Sequence, residues 1–299
     1  MTSTWRQVAH KDFADAVRSK MIWGIMAVFV LFMVVLLLVA QVAFPEDVEV
    51  TVDVALAFVA ELSQLFVPLI ALIAAYMAIV GERRSGSLRV LLSYPFSRSD
   101  VVLGKLIGRG LVVGTALTAG VLITVGVAVL LYGVPEAGKV AGLFGSILLF
   151  GLAFAGIGVG ISAAMATRGQ AMAGVLGLYI LFLLFWEVIV GAIYYVVEGT
   201  LPGMDVEPWY FLLLRLSPIE AFRSLADATF DDLVTPMIYL GVDDMPADAT
   251  FQEQFDVSAR VAGELPFYLD SWVLVLILLA WGLVPAVVGY LRFRDADLG

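Results

Sequence analysis

A few residue groups in this chain have types and spacing that could do chemistry. Gly133-Val-Pro-Glu-Ala-Gly138-Lys139 has the G-x-x-x-x-G-K spacing of a loop that cradles phosphates. That loop needs Ser or Thr at the next position to hold magnesium, and a strand before it. Here Val140 follows and a long apolar run precedes, so the motif is read as a glycine-rich turn. Gly156-Ile-Gly158-Val-Gly160 is a piece of a dinucleotide fingerprint, but it lies inside an apolar run. There, as at Gly110 and Gly114, small residues serve close helix packing. Met21, Met26 and Met33 could suggest soft-metal handling, yet methionine is also an adaptable packing residue. The chain has no cysteine and one histidine, His10. Thiolate chemistry and a multi-histidine metal site are therefore excluded, and no metal is expected.

Two carboxylates interrupt otherwise uncharged runs: Glu61 and Glu187. An ionisable group in a membrane segment is costly and is a functional candidate by default. Glu61 lies near the end of its run, within reach of headgroups. Glu187 lies deeper, after Trp186 and before Tyr194 and Tyr195. It is expected to face a polar cavity or another subunit.

The elements that carry these residues follow from composition. The 299 residues are 62% hydrophobic and 15% charged, with a mean hydropathy of +0.99. A soluble domain is about 45–50% apolar and about 25% charged. An ordinary soluble enzyme and a disordered chain are both excluded. A membrane helix needs about 20 apolar residues. Six runs qualify: 21–45, 56–80, 110–132, 140–166, 171–197 and 271–291. The first is too long for the apolar region of a secretory signal, so it is read as a retained span. The fold class is an all-α integral membrane protein with six transmembrane helices.

Charge orients the bundle. Thirteen of the 17 basic residues fall in 1–20, 81–109, at Arg168, or at Arg292 and Arg294. Positive charge marks the cytoplasm, so both termini are expected inside. The opposite side carries 14 carboxylates against three arginines between residues 198 and 270. This side suits either gathering cations or, with Arg in excess over Lys, solubility in the saline medium of a halophile.

Residues 5–20 read as an interfacial amphipathic helix, with Trp5, Val8, Ala9, Phe13, Ala16 and Val17 on one face. In the external segment 198–270, the apolar Trp209–Leu214 stretch suits the headgroup belt. Ser217-Pro218-Ile219-Glu220 has the pattern of a capping box with proline at the first helical position, starting a helix that runs to about Ala226. The basic-side segment 81–105 is the richest. Ser87 can cap a short helix that Pro95 must end, with Leu88, Leu91 and Leu92 on one face. Ser97-Arg-Ser-Asp100 is a second helix start. A leucine face flanked by Arg83, Arg84, Arg89 and Arg98 suits either dipping into lipid or docking a cytosolic partner.

Glu82-Arg83, Gly86-Ser87-Leu88, Leu91-Leu92-Ser93, Pro95, Ser97-Arg98 and Gly104-Lys105 resemble the cytoplasmic loop of ABC-2 type transporter permeases. Ser217-Pro218-Ile219-Glu220-Ala221-Phe222-Arg223 resembles a segment of permeases associated with multicopper-enzyme maturation. Ser87 stands where that family usually has Thr, and Arg89 where an acidic residue is common. The resemblance implies a transport subunit with no catalytic residues and no cofactor of its own. ATP and magnesium would bind a separate cytosolic ABC ATPase, which would dock on Glu82, Arg83, Gly86, Ser87, Leu88, Leu91, Leu92, Pro95, Ser97 and Arg98. A second permease copy would complete the pathway in the plasma membrane, with export the commoner direction in the family. No nucleic acid is expected as a partner. The rivals are a secondary transporter working through Glu187 and an integral-membrane enzyme. The enzyme would need paired His, Glu or Asp within the spans.

The charge distribution makes a direct prediction. In this cysteine-free chain, Ser85→Cys and Ala249→Cys will react with impermeant thiol reagents from opposite sides. Labelling of Ser85→Cys from outside intact cells would contradict the orientation.

Overall fold

The computed structural model describes residues 4–43, 50–88, 93, 96–230, 233–235, 253, 256–261 and 264–296. Its elements are α1 (Thr4–Val17), α2 (Lys20–Ala43), α3 (Val52–Ala75), α4 (Val80–Ser85), α5 (Arg98–Tyr132), α6 (Ala137–Ala164), α7 (Arg168–Ile180), a π-helical turn (Leu181–Phe185), α8 (Trp186–Glu198), α9 (Pro208–Arg215), α10 (Pro218–Asp227), α11 (Val257–Arg260), a 3-10 turn (Phe267–Leu269) and α12 (Ser271–Arg294). Among the described residues there is no strand, only one isolated bridge between Val206 and Val261.

Five helical stretches are long and apolar enough to cross a membrane: Val52–Ser85, Arg98–Tyr132, Ala137–Ala164, Arg168–Glu198 and Ser271–Arg294. In α2 the apolar stretch is the shorter Met26–Val39, so five of the six expected spans reach membrane-crossing length among the described residues. The all-α membrane class is therefore present, and the structure adds detail at the helix ends. The third run extends to Arg98, because Ser97 and Asp100 form a complete capping box there. The second run breaks at Ala75 and resumes at Val80. The fifth contains the π turn, a local widening of the helix that often marks a functional position.

The bundle is organised around α3 and α6. At the crossing of α6 and α12 the two backbones touch. A Cβ on Gly156 would lie 2.0 Å from the Gly282 carbonyl oxygen, and one on Gly160 would lie 2.2 Å from that of Pro285. Gly289 in turn has room only for the Gly160 backbone. The Gly156-x-Gly158-x-Gly160 run is thus a packing surface, because without a solvent-driven hydrophobic effect membrane helices associate by close van der Waals fit.

The external segment adds a feature that the sequence does not show. In the Trp209–Leu214 stretch Tyr210 and Phe211 are buried and the rest half-buried, packed with Val190 and Tyr194 of α8. Helix α10 re-enters the bundle from the acidic end. Phe222 stacks on Phe150 with ring centroids 4.3 Å apart and planes 9° from parallel. Phe150 is near the midpoint of α6, ~20 Å from its start at 1.5 Å per residue. Trp281, near the midpoint of α12, donates its indole N–H to the Leu216 carbonyl at 2.8 Å. The physical reason is that α10 is buried nearly all round: Pro218, Ile219, Ala221, Phe222, Ser224 and Ala226 are all enclosed. The capping at its start is also only half of a box. Ser217 accepts from the Ile219 N–H, while Glu220 turns to Arg223 instead.

The helix contact is testable. Gly160→Ala will destabilise the protein by about 1–3 kcal/mol through overpacking, read as a lower melting temperature in detergent. Gly126→Ala, where no atom lies within 4 Å of the new Cβ, will be neutral or mildly stabilising.

Candidate functional site

The segment singled out by the sequence lies at the basic end, where α1, α4 and the start of α5 meet. Gly104 and Gly108 let α1 lie directly against α5. A Cβ at Gly104 would be 2.6 Å from Val8 Cβ, and one at Gly108 would be 2.8 Å from Asp12 Oδ2. That contact buries Asp12, whose side chain is only 2% exposed. Lys105 Nζ donates to Asp12 Oδ1 at 2.6 Å and to Glu82 Oε1 at 2.6 Å. Arg109 adds an Nη2 bond to Asp12 Oδ1 at 3.0 Å and an Nε–Oδ2 contact at 2.9 Å. Two cations and two carboxylates from three helices thus form one clasp. Its charges balance, as a low-dielectric site requires.

The break in the second span is satisfied by the same end of the bundle. Arg109 Nη1 donates to the Ala74 carbonyl at 2.7 Å. Ser162 Oγ on α6 accepts from both Ile79 N and Val80 N, at 3.0 and 3.1 Å. These are the orphan groups that a helix end leaves behind. The α4 helix then stops at Gly86, whose φ of 76° is a left-handed C-cap conformation.

Each sequence-identified residue of the segment has a definite place. Glu82 belongs to the clasp. Arg83 is half-buried on α4, and the Ser87 hydroxyl donates to the Glu82 carbonyl at 3.4 Å and pairs with Ser85. Leu88 is not free to dock a partner: it is 1% exposed, packed among Ile79, Val101, Val102 and Phe293. Ser97 caps α5. Arg98 also turns inward. Its Nη1 donates to the carbonyls of Phe293, Arg294 and Ala296 at 2.6–2.8 Å, where a cation complements the C-terminal end of α12. Leu91, Leu92 and Pro95 lie outside the described residues, as does Arg89.

Sequence reasoning missed Asp12, Arg109 and Ser162. Asp12 carried a usable signal. It sits between Ala9 and Ala16 on the apolar face of α1, where an unpaired carboxylate would be expensive.

Glu187 lies at the other end, at the start of α8 just after the π turn. With Gln64 of α3 and Glu220 of α10 it lines a cavity of about 10 Å³. It acts electrostatically on Arg223 and Arg260. Arg223 pairs with Glu220 at 3.0 Å and lies 3.9 Å from Asp227. Arg260 donates to the Gly203 carbonyl at 2.8 Å and lies over the Phe211 ring at 5.2 Å. Burial pulls the Arg260 guanidinium below its ordinary value. Glu61, half-buried, accepts from the Thr235 hydroxyl at 2.9 Å.

Comparison with known proteins shows which family the chain resembles. A family described as ABC-2 family transporter protein matches residues 6–298. A probable ABC transporter permease protein NosY from Stutzerimonas stutzeri is 28% identical over 298 residues, covering 98% of this chain and 99% of the relative. One of the same description from Pseudomonas aeruginosa is 30% identical over 247 residues, covering 81% of this chain and 88% of the relative.

The clasp predicts an asymmetry between two aspartates of α1. Asp12→Ala will cost about 3–5 kcal/mol, because it strands the buried Lys105 and Arg109 charges. Asp15→Ala, on the exposed side of the same helix, will change stability by less than about 0.5 kcal/mol. Thermal unfolding in detergent measures both.

Proposed function

The chain belongs to the ABC-2 family of transporter proteins and is a membrane subunit of an ABC transporter; on that premise we propose that it couples ATP hydrolysis on a separate cytosolic ATPase to movement of a substrate across the plasma membrane. ATP and magnesium belong to that partner. The termini and the 81–105 segment face the cytoplasm in this reading, and transport runs outward.

The clasp carries the proposal. Both described flanks of the 86–97 segment are tied into the bundle. Glu82 and Lys105 tie α4 to α5, Asp12 ties both to α1, and Arg98 ties the start of α5 to the end of α12. Such a linked set of helices moves as a body, the usual form of a rigid-body transition. The partner surface is then the part of the segment that does not anchor it. Leu88 and Arg98 hold the segment in place, and Leu91 and Leu92 remain as the docking leucines.

A second copy of the chain supports the pathway in the same reading. Only 22% of the apolar windows of Arg168–Glu198 and Ser271–Arg294 is buried, against 61% for Val52–Ser85. Large apolar faces such as Leu176, Phe185 and Ile189 on one, and Leu279, Leu283 and Val287 on the other, are exposed. They suit lipid on one side and a twin subunit on the other.

Leu91→Asp tests the docking. Co-expressed with the ATPase, the variant will insert normally, because the residue is outside the spans. It will lose ATPase capture and substrate-stimulated hydrolysis, since a charge buried at the contact has no partner. Normal complex formation and normal stimulation would overturn the assignment.

A further inference from the structure

The small cavity beside Glu187 has an unusual lining. Gln64 is completely buried, and its Nε2 is committed to the Thr235 carbonyl at 3.0 Å. That bond fixes the amide orientation, because the flipped amide would set two oxygens against each other. Gln64 Oε1 is therefore an acceptor, and it has no donor. An orphan buried acceptor is rare and costly.

The groups around it do not supply that donor as ordinary carboxylates. Glu187 and Glu220 line the same cavity, and ionised carboxylates only accept. Trp186 also lines it, but its indole N–H is spent on the Leu213 and Leu214 carbonyls at 3.3 and 3.0 Å. The rest of the lining is Phe182, Leu183, Leu184 and Ile219. Gln64, Glu187 and Glu220 thus bring acceptors to the lining of a space of about 10 Å³, room for about one water-sized particle. The site is adjacent to the π turn.

We propose that this cavity is a single-cation site, held by Gln64 Oε1 and the Glu187 and Glu220 carboxyl oxygens, for Na⁺ or for a proton carried on Glu187. Oxygen-only ligands suit a hard cation. The small space favours Na⁺ over K⁺. A protonated Glu187 would meet the same demand by donating its O–H to Gln64 Oε1. The charged and titratable groups linked to Glu187 and Glu220 are Arg223 and Asp227 on α10 and Arg215, Arg260 and Tyr210 in the external segment, with Glu61 one helical turn from Gln64 on α3. A cation here would brace α3, α8 and α10 against one another.

The test is thermal unfolding of the full chain in detergent, so it does not depend on an ATPase or a substrate. Melting is followed at constant ionic strength while N-methylglucamine is exchanged for Na⁺ or K⁺, at several pH values. A sodium site gives a saturable rise with Na⁺ and a weaker one with K⁺, and the half-saturating concentration rises at least about tenfold in Gln64→Leu and in Glu187→Gln. A proton site gives a rise that ignores Na⁺. Protonation stabilises the fold, so stability then falls as pH rises, and Glu187→Gln removes that slope while Glu61→Gln keeps it. If the wild type responds to Na⁺ and to pH no differently from Gln64→Leu and Glu187→Gln, an ordinary water fills the space and the proposal is wrong.

Discussion

A backbone polar group at bilayer depth has no water to bond, so it must find a partner within the protein. That constraint accounts for most of the unusual contacts here. Wherever a helix breaks or ends inside the bundle, a side chain from another helix meets the exposed groups. Ser162 takes two N–H groups and Arg109 one carbonyl where α3 gives way to α4. Trp186 and Trp281 take the carbonyls at the end of α9. The Leu213 and Leu214 carbonyls also accept from the Leu216 and Ser217 N–H groups, so Trp186 adds a second donor there, while Trp281 serves the Leu216 carbonyl.

The same economy governs charge. Asp12, Lys105, Glu82 and Arg109 are tolerated at the basic end because each faces an opposite charge. Burying them does little for stability by itself; a well-packed apolar set could be as stable. What the clasp contributes is geometry. It fixes the height of α1 against α5 and the position of α4 against both. Transmission of a push needs that kind of definition, and apolar contacts between smooth helices specify it poorly. At the acidic end, Glu187, Glu220 and Asp227 stand against Arg223 and Arg260 in a second network that ties the re-entrant helix to the fifth span.

The two networks are joined by α3 and α6. Helix α3 carries Gln64 toward the acidic end and offers the Ala74 carbonyl at the basic end. Helix α6 stacks Phe150 on the re-entrant Phe222 and holds the α3–α4 break through Ser162. Its glycines press on α12, whose end is held by Arg98. The two ends are therefore joined by a continuous packed route of side chains and helices.

Much of this was legible in the sequence, because it depends on near neighbours in the chain. Apolar runs of about 20 residues specify membrane helices. Ser97 with Asp100 and Ser217 with Pro218 specify helix starts, and closely spaced glycines specify backbone contact. The motif of the 82–105 segment was enough to suggest the ABC-2 family. Only the tertiary structure decided which helices adjoin, and at what height. Asp12 and Lys105 are 93 positions apart, and Arg98 and Phe293 are 195 apart. No periodicity links them. The leucine face around Leu88 suited lipid or a docking partner, and the aromatic stretch around Trp209 suited the headgroup belt. An apolar side chain gains by leaving water in any of these places, so composition cannot choose among them. The choice was made by shape: a gap between α5 and α12 that admits Leu88, and a cleft among α3, α6 and α12 that admits α10.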